Sequence, residues 1–83
     1  MARAAIVKQV VNYVVTELVD RPDEVSVTII EQGPDEVVAE VRTGEGDMGR
    51  VIGRHGRVAR AIRTLADVAA DEEGLSARVE FED

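Results

Sequence analysis

Two glycines three residues apart, Gly53 and Gly56, enclose the basic residues Arg54 and His55 and stand between two apolar segments. Glycine has no Cβ, so this spacing permits a sharp turn that a bulky ligand can approach closely. The amides that open the next helix would point to the same place, and a helix N-terminus attracts anions. The spacing therefore predicts a loop that binds a phosphate backbone.

The chain is acidic overall, but its arginines are concentrated around this loop. Ten lysines and arginines stand against 17 acids, which gives a net charge of −7 over 83 residues. Residues 50–66 contain no acid and five arginines, which leaves −12 for the other 66 residues. These arginines are Arg50, Arg54, Arg57, Arg60 and Arg63. A basic segment in an acidic chain indicates a local anion site; the alternative is a solvated helix face.

The composition excludes several other kinds of site. Without cysteine there is no disulfide or thiolate metal site, and a single histidine excludes a histidine-rich one, so we expect no metal and no cofactor. Tyr13 and Phe81 are the only aromatic residues, so base stacking on aromatic platforms cannot be the main binding mode. No apolar run reaches the roughly 18–20 residues that span a bilayer, and no signal-peptide pattern is present. We therefore expect a cytoplasmic protein with no membrane partner.

Periodicity and turn residues predict the elements that position the loop. The predicted order is a helix over 3–19, strands over 25–29 and 37–42, a short helix to 52 capped by Asp47, a helix over 57–71 ended by Gly74, and a strand over 77–81. Helices on one face of a three-stranded sheet form a two-layer α+β domain. The length suits a single domain over residues 1–83.

Both long helices carry more apolar surface than one core requires. The apolar residues of the first helix cover about 220° of its circumference, whereas a core stripe takes about 100° or somewhat more. In the helix over 57–71, a predicted core stripe contains Val58, Ile62, Leu65, Ala66 and Ala69. Its apolar arc is widened by Ala59, Ala61, Val68 and Ala70. Either helix could form a subunit interface, for which Val15 and Ile62 are the expected probes.

The element order and the segment over residues 47–64, DMGRVIGRHGRVARAIRT, resemble a type II KH domain. The segment is similar to the small, stand-alone bacterial KH proteins of the KhpA (YlqC) family, and the resemblance covers nearly the whole chain. It implies single-stranded RNA binding in which the glycine loop clamps about four nucleotides. It also implies an RNA chaperone or post-transcriptional regulator that pairs with itself or with a larger KH protein of the KhpB (Jag or EloR) type.

The resemblance also assigns roles to individual residues. The phosphates would be held by Gly53, Arg54, His55 and Gly56, and Arg57 and Arg60 would support the electrostatics. The apolar groove beneath the bases would be lined by Val51, Ile52, Ala59 and Ile62. The far wall would come from strand residues around Val38 and Glu40 and from the loop over residues 31–36.

Other glycine-rich nucleotide sites do not fit the sequence. A dinucleotide fingerprint would require glycine where Val51 stands, and no Gly-Lys-Ser/Thr follows as in a P-loop. A helix-hairpin-helix DNA module typically has its turn glycines two apart. No serine or cysteine nucleophile is paired with His55 by any motif, so we expect neither catalysis nor a small-molecule substrate.

One alternative remains, a KH-fold dimerisation module whose loop has lost its RNA-binding role. A vestigial loop would tend to lose its glycines or gain acids. This loop keeps Gly53, Gly56 and its positive charge, which favours RNA binding.

Overall fold

A computed structural model describes residues 3–82 as six main elements in two layers. The elements are α1 (Ala5–Leu18), β1 (Ser26–Glu31), β2 (Glu36–Arg42), α2 (Met48–Ile52), α3 (Arg57–Glu72) and β3 (Ser76–Glu82). Each lies within two residues of its predicted bounds, and the predicted α+β fold is confirmed. The longest helix has 16 residues, and within residues 3–82 none is long and apolar enough to cross a membrane.

The three strands form one sheet with β2 in the centre. β1 runs antiparallel to β2, with Val27 opposite Val41. β2 runs parallel to β3, with Ala39 opposite Val79. Parallel neighbours cannot be joined by a hairpin, so the chain crosses over between them, and α2 and α3 form this crossover. The turn between these two helices is the segment that carries the paired glycines.

The core lies between the helices and one face of the sheet. Its members include Val7 and Val11 on α1 and Ala39 on β2, which are fully buried. On α3 the buried residues are Ala59, Ile62, Ala66, Ala69 and Ala70. Because most of them are alanines, α3 can approach its neighbours closely.

The core stripe predicted on α3 is wrong at its edges. Leu65 is 43% exposed and Val58 is half-buried, whereas Ala59 and Ala70 are buried. The buried face is centred on Ile62 and Ala66. Leu65 precedes Ala66 in sequence and therefore stands about 100° around the helix from it. Leu65, one of the two largest aliphatic side chains of the stripe, thus lies outside the core.

The wide apolar arc of α1 is largely used inside the chain. Its half-buried residues, which are Ile6, Val10, Val14 and Leu18, pack against the core cluster. Val15 is 0% exposed and Ile62 is 1% exposed. The two residues expected to probe a subunit interface are therefore core residues, and aspartate at either position would unfold the chain.

A turn at the end of α3 and a hydrogen bond beside it connect this helix to the start of α1. Gly74, with φ +69°, ends α3 as predicted, and the amide of Leu75 donates to the carbonyl of Ala70 at 2.9 Å. This pattern is a Schellman turn. The next residue back, Glu73, accepts a hydrogen bond from the amide of Val7 at 3.3 Å and so caps the start of α1. The start of α1 is thereby tied to the end of α3.

Asp47 stands at the predicted N-cap of α2, but its carboxylate serves another purpose. It is only 3% exposed and makes no side-chain hydrogen bond to α2. Instead it accepts hydrogen bonds from the amides of Asp20 at 3.3 Å and Arg21 at 3.0 Å. Arg50 pairs with Asp20 at 3.1 Å and lies 3.8 Å from Asp47. This clip fastens the start of α2 to the segment that follows α1.

Replacing Asp47 tests the clip. Asp47→Ala leaves the amides of Asp20 and Arg21 without their acceptor, so we expect the free energy of unfolding to fall by about 1–3 kcal/mol. Asp47→Asn keeps one carbonyl oxygen and should lie between this variant and the original chain. Urea unfolding followed by circular dichroism measures both, and an unchanged midpoint for Asp47→Ala would contradict the role.

Candidate nucleic-acid interface

Residues 53–56, called here the 53–56 loop, turn the chain between α2 and α3. Gly53 has φ +75° and ψ 172°, a region open essentially to glycine alone. His55 (φ 57°) and Gly56 (φ 72°) are both left-handed, and the amide of Gly56 donates to the carbonyl of Gly53 at 3.1 Å. The predicted sharp turn is present, and it opens directly into the N-terminus of α3.

The two glycines are required for different reasons. A Cβ on Gly53 would collide with the side chain of Val58 and lie 3.0 Å from its backbone nitrogen. A Cβ on Gly56 would meet only the guanidinium of Arg60, at 3.5 Å. Gly53 is therefore needed for close packing and for its backbone angles. Gly56 is needed for its left-handed conformation alone.

Two arginines beside the loop are free to receive an anion. Arg54 and Arg57 are exposed, and within residues 3–82 neither forms an ion pair or a side-chain hydrogen bond. The His55 side chain is exposed between them in sequence. These three exposed side chains lie at the start of α3, where the helix N-terminus is the end that attracts anions.

The other three arginines of the basic segment have contacts within the protein. Arg50 belongs to the clip with Asp20 and Asp47. Arg63 lies over the ring of Phe81, with its guanidinium carbon 5.2 Å from the ring centroid. Arg60 donates a hydrogen bond to the backbone carbonyl of His55 at 3.0 Å. The net charge of the segment thus exceeds the number of cations that face solvent unpaired.

The four residues expected to line a groove do not share one environment. Val51, Ala59 and Ile62 are 0–2% exposed and belong to the interior of the protein. They can shape a groove only from beneath. Ile52 is half-buried and offers apolar surface immediately before the loop.

The far wall predicted from β2 is misplaced. Val37, Ala39 and Val41 face the helices, so the alternating residues Val38 and Glu40 lie on the other face, called here the outer face of the sheet. Both α2 and α3 contact β3. The strand that lies against these two helices is therefore β3, and Val38 and Glu40 do not face the 53–56 loop.

The outer face carries an acid cluster that sequence reasoning missed. Carboxylate oxygens of Glu40, Glu80 and Glu82 lie within 4.8 Å of one another. Desolvation, reinforced by Glu82, raises the pKa of Glu40. Because the folded state holds this proton more tightly than the unfolded chain does, protonation of Glu40 stabilises the fold below the ordinary pKa of a glutamate. This stabilisation is lost as pH rises through the raised pKa. Arg42 pairs with Glu82 at 2.8 Å and Arg78 with Glu80 at 3.1 Å.

The sequence is similar to that of known proteins over most of its length. A family model described as KhpA/KhpB, KH domain matches residues 8–81, which include the 53–56 loop. The RNA-binding protein KhpA of Borreliella burgdorferi is 39% identical over 75 residues, 90% of each chain. The protein of the same name from Leifsonia xyli is 46% identical over 72 residues, 87% of this chain and 91% of its own. That of Clostridium acetobutylicum is 40% identical over 74 residues, 89% of this chain and 97% of its own. No solved structure matches the chain.

Alanine at two glycines near the loop tests the close packing at Gly53. Gly53→Ala introduces the contact with Val58 and an unfavourable backbone conformation, so we expect a loss of about 2 kcal/mol or more in the free energy of unfolding. Gly49→Ala is the matched control, because a Cβ there meets nothing within 4 Å. It should stabilise α2 by about 0.5–1 kcal/mol. Equal urea midpoints for the two variants would show that Gly53 is not needed for packing.

Proposed function

The chain belongs to the KhpA/KhpB family of KH domains, and on that premise we propose that it binds short single-stranded RNA through the 53–56 loop. Relatives that cover most of its length are named RNA-binding proteins. The observation that carries the proposal is the loop at the N-terminus of a 16-residue helix. There the side chains of Arg54, His55 and Arg57 are exposed and form no ion pair or hydrogen bond within residues 3–82. The protein is non-catalytic in this proposal and acts in the cytoplasm.

Recognition divides between phosphates and bases. Arg54 and Arg57 each neutralise one phosphate, and His55 adds a hydrogen-bond donor that needs no change of charge. Glycine at positions 53 and 56 lets the RNA backbone approach the turn closely. The bases then lie along the side of α3 toward β3, with Ile52 as the accessible apolar contact. A short footprint of about four nucleotides and weak sequence preference follow.

The proposed biological role is an RNA chaperone or post-transcriptional regulator that works as a pair. The exposed apolar residues of α3 support pairing, since Leu65 and Val68 are 43% and 59% exposed. With the exposed Ala61 they are spaced four and three residues apart, so they share one side of the helix. The proposed partner is a second copy of this chain. A larger KH protein of the KhpB type is the alternative partner.

The exposed residues Ala61, Leu65 and Val68 also support the second candidate function, a dimerisation module with little RNA binding of its own. The two functions differ in what the loop does, so an RNA-binding measurement separates them.

Reversing the charge of the loop tests the RNA clamp. We expect the double variant Arg54→Asp, His55→Asp to bind a labelled single-stranded RNA pool at least about tenfold more weakly in fluorescence anisotropy, because the phosphate contact of Arg54 is lost and two new carboxylates repel the RNA backbone. For the original chain, two neutralised phosphates predict a slope of log K against log salt near −1.4, at about −0.7 for each phosphate.

The matched control changes the charge equally at a distant place. Lys8→Asp with Gln9→Asp alters the net charge by the same amount at two exposed positions of α1. The bond between Val7 and Glu73 holds that end of α1 at the far end of α3, about 24 Å from the loop along a 16-residue helix. Equal binding by the two double variants, or none by the original chain, would favour the dimerisation module.

Aspartate in place of Leu65, one of the exposed apolar residues of α3, tests pairing. We expect the original chain to sediment as a dimer and Leu65→Asp to shift it toward the 9.0 kDa monomer, because a buried carboxylate in an apolar interface is unfavourable. Gln32→Asp, at an exposed position in the turn between β1 and β2, adds a carboxylate away from α3; it is the control and should leave the dimer intact. Sedimentation of the original chain as a monomer would contradict pairing with a second copy.

A further inference from the structure

We propose that Arg60 is a positioning residue: it holds the 53–56 loop in its binding conformation and does not neutralise a phosphate. The proposal rests on the RNA-binding function of the loop and assigns a different role to one of the five arginines of the basic segment. It departs from the expectation that Arg60, like Arg57, supports the electrostatics.

The contact that carries the inference joins a side chain of α3 to the backbone of the loop. Nη1 of Arg60 donates to the carbonyl oxygen of His55 at 3.0 Å. A hydrogen bond from a charged donor is stronger than one between neutral groups. The bond fixes the peptide unit between His55 and Gly56, since it holds the oxygen of that unit in place.

This peptide unit needs an external restraint. His55 has φ 57° and ψ 23°, and left-handed angles are unfavourable for a residue with a Cβ. Gly56, with φ 72°, follows in a similar conformation but has the widest conformational freedom of any residue. Without the bond from Arg60, this pair could relax and turn the side chains of Arg54 and His55 away from a common ligand.

A second arginine at the start of α3 provides a comparison for Arg60. Arg57 lies one turn nearer to the loop and forms no such bond within the described residues. The two arginines thus provide a matched pair, one that points into the loop and one that is free in solvent.

Methionine at each position separates the two roles, because it keeps most of the unbranched stem, removes the guanidinium and suits a helix. For Arg60→Met we expect an RNA affinity about threefold to tenfold lower, the effect of one hydrogen bond, with the salt slope unchanged. For Arg57→Met we expect the slope to become shallower by about 0.7, the effect of one phosphate contact. Fluorescence anisotropy across a salt series measures both quantities.

A second measurement on the free protein needs no RNA. In Arg60→Met, the backbone ¹⁵N order parameters of His55 and Gly56 should fall from a rigid value of about 0.85 to below about 0.6, whereas Arg57→Met should leave them unchanged. Unchanged order parameters in Arg60→Met, or a slope reduced by about 0.7 in that variant, would overturn the proposal. If no variant binds RNA, the proposed function fails, and the order parameters still decide the role of Arg60.

Discussion

Parallel pairing of β2 with β3 is the constraint on which the rest of the structure depends. Strands that run in one direction must be joined by a crossover, and here the crossover is a pair of helices with a four-residue turn between them. Each helix is fixed independently of the turn. The alanines of α3 bring it close to its neighbours, and the carboxylate of Asp47 fastens the start of α2 to the segment that follows α1. The 53–56 loop is therefore an elbow between two anchored elements.

The basic segment shows how little a count of charges says about a binding site. Arg50 joins two segments, Arg63 covers an aromatic ring, and Arg60 reaches back to the loop carbonyl. Of the five arginines of the segment, only Arg54 and Arg57 make no such contact within residues 3–82. A segment that carries +5 thus has two arginines whose side chains are free, and these are the two to which the proposed function assigns phosphates.

Local sequence was enough to predict the elements and the glycine turn, because periodicity, caps and backbone freedom are properties of neighbouring residues. It was not enough to predict which side of α3 is buried. The burial of Ala59 and the exposure of Leu65 depend on how the helix is rotated against the sheet, and its apolar residues surround too much of the circumference to show this. The outer-face acid cluster was missed for a related reason, since Glu40 meets Glu80 only once the parallel register is known.

The acid cluster has a consequence for how an RNA strand arrives. The chain outside residues 50–66 carries a net charge of −12, and three of its carboxylates form the cluster on the outer face, whereas Arg54 and Arg57 stand at the end of the helix layer. Under the proposed function, a molecule with its charge separated in this way experiences a torque in the field of an RNA strand before contact. The torque turns the 53–56 loop toward the strand, so a larger share of diffusional encounters begins in the proposed binding orientation, and this share falls as added salt shortens the range of the field.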